Sequence, residues 1–302
     1  MAQLTANQLD AGSQPVILDK PQSQLRLFLK AFFSRKINSI SAFIITITIL
    51  CAVFAPIIAP YDPYKQSLRD SLKEPSFSHI LGTDVHGRDV FSRILYGART
   101  SLMVGVFSVF VGASIGMFLG LIAGYYEGML EAIIMRFIDA LMTIPSIMLA
   151  LAIGSARGGG LTNVMIAIGI AFLPTYARLM RGQVLVAKQA DYILSARALG
   201  ARQLYIIFRH ILPNTLSPII VLITMNFGAA ILAEAGLSFL GLGINPPGAA
   251  WGSMVNDGYR YLLSHPYLSF APGVCIIVLV LAINLAGDGL RDALDPTLRG
   301  GS

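Results

Sequence analysis

Apolar residues in this chain gather into six long runs, at 39–58, 101–125, 130–154, 162–180, 214–240 and 268–287, separated by shorter polar stretches. A helix needs about 20 apolar residues to cross a bilayer core, and only a helix or a closed barrel satisfies its own backbone there. The pattern therefore predicts an all-α membrane protein with about six transmembrane helices. Ahead of the first run, Leu25, Phe28, Leu29, Phe32 and Phe33 recur at helical spacing, while Arg26, Lys30, Arg35 and Lys36 supply positive charge. That spacing predicts an amphipathic helix on the membrane surface leading into the first span.

Composition narrows the class. Of the 302 residues 55% are hydrophobic and 13% charged, about half the roughly 25% charge of a soluble domain; mean hydropathy is +0.69. An ordinary soluble protein is excluded. The first thirty-nine residues contain no apolar h-region, so no cleaved leader is expected. The closing Gly-Gly-Ser reads as an added scar and carries no weight.

The net charge of +6 is assigned to basic loops rather than to nucleic acid, because its distribution fits a membrane topology. Lys20, Arg26, Lys30, Arg35 and Lys36 precede the first span against Asp10 and Asp19, which places the N-terminus in the cytoplasm. An even number of spans then puts both termini there. The segment 181–213 becomes a cytoplasmic loop, in which Arg181, Lys188, Arg197, Arg202 and Arg209 face only Asp191. The expected division is a cytoplasmic N-terminal segment 1–38, a first span with outer loop 39–100, a core of five spans 101–288 and a cytoplasmic tail 289–302.

Within the second span Gly112, Gly116, Gly120 and Gly124 fall on every fourth residue, a stripe that lets another helix approach closely. Pro145, Pro174, Pro218 and Pro272 are positioned to kink spans three to six. Ionisable and amide groups at membrane depth, Asp139, Asn226, Glu234 and Asn284, are candidates for pathway or packing roles. Asp139 lies three residues after Arg136, within reach of a local ion pair. Glu234, among alanines and Gly236, either packs against a partner helix or sits exposed near the outer end of its span.

Other chemistry is sparse. His79, His86, His210 and His265 are scattered without metal-ligand spacing, Cys51 and Cys275 sit inside apolar runs, and no site for a metal is expected. No Walker phosphate loop occurs, so any ATPase is a separate chain. In the 191–213 loop, small residues Ser195, Ala196 and Ala198 lead to Gly200, suited to end a helix, after which a second short helix is expected to stop at Pro213. Such a pair suits insertion into a groove of another protein, with its arginines against an acidic or polar rim.

The small residues of this loop, Gly200 and Ile211-Leu212-Pro213 resemble the EAA signature of permease subunits of bacterial ABC importers. Leu194 stands where the usual glutamate would, and Ser195 where the next alanine would. Further segments narrow the likeness: Leu81-Gly-Thr-Asp-Val-His-Gly-Arg-Asp-Val90, Leu237-Ser-Phe-Leu-Gly-Leu-Gly243 with Pro246-Pro247 and Trp251-Gly252, and Gly287-Asp-Gly-Leu-Arg-Asp-Ala-Leu-Asp-Pro296. These are similar to C-type permeases of the dipeptide, oligopeptide and nickel family, close to the dipeptide and glutathione permeases. The resemblance implies half of a translocation path for peptides in a bacterial inner membrane. It implies a second permease, two ATP-binding subunits holding ATP and magnesium, and an extracytoplasmic binding protein, with no cofactor in this chain. Asp191, Leu194, Ser195, Ala196, Arg197, Gly200, Ala201, Arg202, Ile211 and Pro213 would form the ATPase-docking loop. Gly82, Thr83, Asp84, Gly87, Arg88 and Asp89 would order an outer turn where the binding protein docks, or serve as a purely structural turn. Nickel chelates or other small solutes remain alternative cargo. A self-contained secondary transporter is the alternative mechanism, disfavoured by the missing internal repeat.

Overall fold

The computed structural model describes residues 24–294, and every structural statement below concerns these. The N-terminal residues 1–23 and the tail from 295, with the end of the Gly287–Pro296 motif, lie outside the described residues. Eleven helices are described: α1 Gln24–Phe33, α2 Lys36–Ile58, α3 Val90–Tyr126, α4 Gly128–Met142, α5 Ser146–Ala156, α6 Leu161–Lys188, α7 Asp191–Ala198, α8 Gln203–Ile206, α9 Leu212–Phe239, α10 Trp251–Tyr259 and α11 Tyr267–Leu294. Among the described residues there is no strand, and one isolated antiparallel bridge pairs Thr83 with Asp89.

Five helices are long and apolar enough to cross a membrane, and the pair α4–α5 makes a sixth crossing if taken together. That pair corrects the third expected span. The run 130–154 is no single rod but two helices bent by 90°, because Pro145 offers no N–H and disfavours helical geometry at the residue before it. Pro174, Pro218 and Pro272 lie inside unbroken helices.

The other helices overrun their apolar cores. The second starts at Val90 rather than near 101 because Asp89 caps it, its side chain accepting from the Ser92 amide at 2.8 Å. The fourth continues to Lys188 and the sixth to Leu294, their last turns being polar and hence invisible to a search for apolar runs.

The largest helix interface joins α3 to α6, and the glycine stripe makes it. Gly112 lies on the Gly169 carbonyl, Gly116 on that of Leu173, Gly120 on that of Ala177 and Gly124 on that of Arg181. Both partners advance by four residues at each step, so the helices run parallel. The chain must therefore return along the bundle between them, and α4 with α5 is the segment that does so. A Cβ on Gly112 would stand 2.7 Å from the Gly169 oxygen, and one on Gly116 would stand 2.6 Å from the Leu173 oxygen. Backbone meets backbone at van der Waals distance along four turns, which is how helices associate where water gives no hydrophobic drive.

Replacing Gly116 by Leu inserts a side chain against backbone that has no rotamer to yield. The expected penalty is at or above the upper end of the ~1–3 kcal/mol typical of overpacking. Thermal unfolding of the detergent-purified protein should show it, with Gly273→Leu in α11, where a Cβ meets nothing within 4 Å, staying near the parent. Equal melting of the two variants would remove the stripe as the contact face.

Candidate functional site

Two polar assemblies occupy opposite ends of the bundle. At one end, helix α7 lies on the ends of α3 and α6. It ends at Gly200 in a Schellman turn: the Gly200 amide donates to the Arg197 carbonyl at 2.9 Å and the Ala201 amide to that of Ala196 at 3.1 Å. Gly200 has φ +78°, a left-handed conformation that glycine alone adopts without cost. The second short helix does not stop at Pro213, as the sequence had suggested. A π-helical turn, Ile207–Ile211, leads straight into α9, and its wider bore gives the Pro213 ring room that an α-helical turn would deny.

The loop has an apolar base and an exposed top. Ile193, Ile206, Ile207 and Ile211 are buried in the main core, with Ala196 and Ala201 packed against it. Asp191, Leu194, Ser195, Arg197, Gly200, Arg202 and Pro213 are exposed, alongside Leu199, Leu204 and Phe208. Apolar and guanidinium groups are thus displayed together on one exposed surface. Arg197 lies 5.6 Å from the centre of the Tyr125 ring at the end of α3, and Lys188 approaches the same ring at 5.5 Å.

Lys188 Nζ also donates to the Tyr125 carbonyl at 2.7 Å and to Glu127 Oε1 at 2.6 Å. A cation thus sits on the carbonyl end of the α3 dipole, and its hydrogen bond holds the Glu127 carboxyl below its ordinary pKa. A depressed carboxylate pKa means that this tie is present at neutral pH and is lost only in acid, as the carboxylate takes up a proton.

At the other end, the segment Gly82–Asp89 turns its polar groups inward. Asp84 Oδ1 accepts from the amides of His86 and Arg88, and its Oδ2 accepts from Arg88 Nε at 2.7 Å. Asp89 caps α3 and holds His79 Nδ1 at 2.9 Å. The Thr83 hydroxyl accepts from the Lys73 amide and donates to the Asp70 carbonyl. Hydrogen bonds from Lys73 and Ser67 hold the Asp70 carboxyl below its usual range. Gly82 and Gly87 both have φ +70°, and a Cβ on Gly87 would collide with the Ser67 carbonyl.

Sequence reading missed Arg93, the centre of this assembly. It is 2% exposed, and its guanidinium donates to the carbonyls of Pro63, Pro247 and Gly248 at 3.1–3.2 Å, with Asp84 at 3.5 Å. Its signal was an arginine one turn inside an apolar helix. Trp251 Nε1 completes the junction by donating to the Ile94 carbonyl at 2.9 Å.

The membrane-depth candidates each have their own neighbours. Asp139 does not pair with Arg136; it reaches Arg178 of α6 at 2.6 Å. Glu131 pairs likewise with Arg181 one layer nearer the α7 end. Both pairs cross between helices because α4 runs antiparallel along α6, which spacing within α4 could not reveal. Glu234 is 1% exposed, so the exposed alternative is set aside; it accepts from Ser238 Oγ at 2.5 Å. Asn226 lies beside Tyr176, and the exposed Asn284 packs its amide against Gly228.

With this geometry in place, comparison with known proteins is decisive. Residues 116–300 match the model of the binding-protein-dependent transport system inner membrane component, and residues 23–75 that of the N-terminal transmembrane domain of oligopeptide transport permease C. The chain belongs to this family of ABC importer permeases. It is 46% identical over 287 residues to the glutathione transport system permease protein GsiD of Pectobacterium atrosepticum, covering 94% of this chain and 95% of that one. It is 46% identical over 283 residues to the protein of the same name from Escherichia coli O157:H7, covering 93% of each. Its fold is similar to that of a chain of the MetNI methionine ABC transporter in an inward-facing conformation, with TM-score 0.56 at 20% identity over 67% of this chain and 96% of that one. The permease is thus a multi-pass inner membrane protein.

Arg93 is expected to be indispensable to the folded permease. Arg93→Met strands three carbonyls and removes one of the two guanidinium groups beside the buried Asp84, a loss on the order of 3–5 kcal/mol, to be read as a lowered unfolding temperature in detergent. Arg93→Lys, without the planar fork, should recover less than half of it.

Proposed function

We propose that this permease forms one half of the path of an ATP-driven importer for glutathione or closely similar small peptides. A second permease would complete the path, an extracytoplasmic protein would deliver the solute, and two ATPase subunits would dock on the α7 loop. The observation that carries this reading is the α7 loop itself, an exposed apolar and arginine-bearing surface held on a buried isoleucine base. The glutathione assignment is supported by the near full-length identity to the GsiD permeases.

The mechanism follows from what α7 touches. A partner that grips Leu194, Leu199 and Arg202 pulls on a helix whose Arg197 lies on Tyr125 and whose neighbour Lys188 ties α6 to α3. Because the glycine interface locks α3 to α6, the displacement moves both together. Rocking of this pair against the rest, driven by ATP-dependent closure of the ATPases, would expose the path alternately to the two sides. In this orientation the α7 end is cytoplasmic and the Arg93 end faces outward, where the turn Gly82–Asp89 offers the delivery protein a rigid shape rather than free charges. Leu194 leaves no salt bridge for a partner at that position, so α7 would be held by apolar contact and by its arginines.

Gly200→Val puts a β-branched side chain at φ +78° in otherwise open space. The variant should insert and bind the second permease, yet lose at least about 90% of glutathione-stimulated ATP hydrolysis and uptake in proteoliposomes. Normal coupling in this variant would sink the docking assignment. Absence of glutathione stimulation in the parent complex, with stimulation by another solute, would replace the substrate alone.

A further inference from the structure

Helix α3 ends at Tyr126 and α4 begins at Gly128, yet α4 runs antiparallel to α6 and therefore to α3. Glu127 alone makes a reversal that usually takes about two to five residues. Its backbone shows the strain: φ is +47° and ψ −174°, a region that sterics leave essentially to glycine. Gly128 follows at φ +71°, with open space where its Cβ would be. Among the described residues the other non-glycine residue with positive φ is Leu72 of the outer loop. Such a conformation persists where the surroundings impose it. The imposing group here is Lys188 of α6, whose side chain is 13% exposed and whose Nζ bonds both Glu127 Oε1 and the Tyr125 carbonyl. Arg197 of α7 lies on the ring of that same Tyr125, and Arg197 and Arg181 add positive charge around the Glu127 carboxylate. The corner is thus fastened by α6 and touched by α7. Beyond it α4 has one buried side chain, Ile138, and two ion pairs to α6, so few buried contacts oppose a change in its inclination.

We propose that Glu127 is a positioning residue for coupling: its strained backbone, held by Lys188, sets the resting inclination of α4, and displacement of α7 releases it. This rests on the importer reading above. A partner that draws on α7 takes Arg197 off the Tyr125 ring and opens the Lys188–Glu127 bond to water, which weakens an ion pair. The backbone at Glu127 then relaxes to an ordinary φ, and α4 swings with α5 behind it. The strain makes the resting arrangement easier to leave than a relaxed corner would be. A longer, unstrained loop at this place would let α7 move without α4 following.

The test compares Glu127→Ala with Glu127→Gly in the assembled transporter, with its delivery protein, in lipid nanodiscs. Both variants lose the carboxylate, but only alanine disfavours the resting backbone. Glu127→Ala should raise ATP hydrolysis without peptide about fivefold, the low end of what such strain is worth, and lower the stimulation by glutathione, whereas Glu127→Gly stays near the parent. Lys188→Met, which removes the fastening and leaves Glu127 in place, should act as Glu127→Ala does, and should lose that effect when combined with Glu127→Gly. Spin labels on Ala132→Cys of α4 and Val186→Cys of α6, with Cys51 and Cys275 replaced by alanine, report the inclination directly. They should lie farther apart in Glu127→Ala than in the parent, and no farther in Glu127→Gly. An ion pair that merely fastens the surface makes alanine and glycine equivalent, and equal hydrolysis rates and label distances in the two variants overturn the proposal. If glutathione and other peptides leave hydrolysis by the parent unchanged while the label distances still separate alanine from glycine, the importer reading fails and the strained corner stands.

Discussion

Everything in this fold depends on how closely α3 approaches α6. Four glycines at four-residue intervals remove every side chain from one face of α3, and the backbone carbonyls of α6 fill the space. In hydrocarbon the gain is dispersion and close packing rather than release of water, so it collapses steeply with separation. The consequence is mechanical. Two long helices in contact over four turns have one arrangement and respond to force as a single body. Lys188, bonded to the carbonyl end of α3, closes that body at the end where α7 sits.

Compliance must then lie elsewhere. The chain between the two locked helices turns by 90° at Pro145, where one proline interrupts the hydrogen-bond ladder. Ion pairs Glu131–Arg181 and Asp139–Arg178 fasten α4 to α6, whereas α5 packs on α6 through apolar contacts of Leu149 and Ala150. At the far end the Arg93 assembly holds a loop segment, α3 and the chain before α10 together through three carbonyls drawn from two places in the sequence.

Much of this was legible in the amino-acid order, and the failures have one physical origin. The glycine stripe, the left-handed turn at Gly200 and the Asp89-to-Gly82 turn announce themselves because each is local: period, positive φ and cap are properties of a few consecutive residues. The partners of Asp139 and the role of Arg93 are not local. Arg136 is three residues from Asp139 and looked sufficient, but Arg178 comes closer because α4 lies antiparallel on α6. Helix ends were underestimated for a related reason, since apolar runs mark the hydrocarbon and not the hydrogen-bonded helix, which continues through polar turns to Lys188 and Leu294. Pro213 misled because a π turn absorbs it.

Position along the bundle explains why the three arginines of α4 and α6 fare differently. Arg181 is partly covered and tied to Glu131, one layer from the α7 end. Arg178, about one turn farther from that end, holds Asp139 with half of each side chain uncovered. Arg136 is exposed on the neighbouring face of α4, flanked by Ile133 and Phe137. Desolvating a guanidinium costs more the deeper it lies in a low-dielectric slab, and both arginines of α6 have a carboxylate of α4 as counterion. The pairing of Arg178 with Asp139 offsets that cost while leaving both groups reachable.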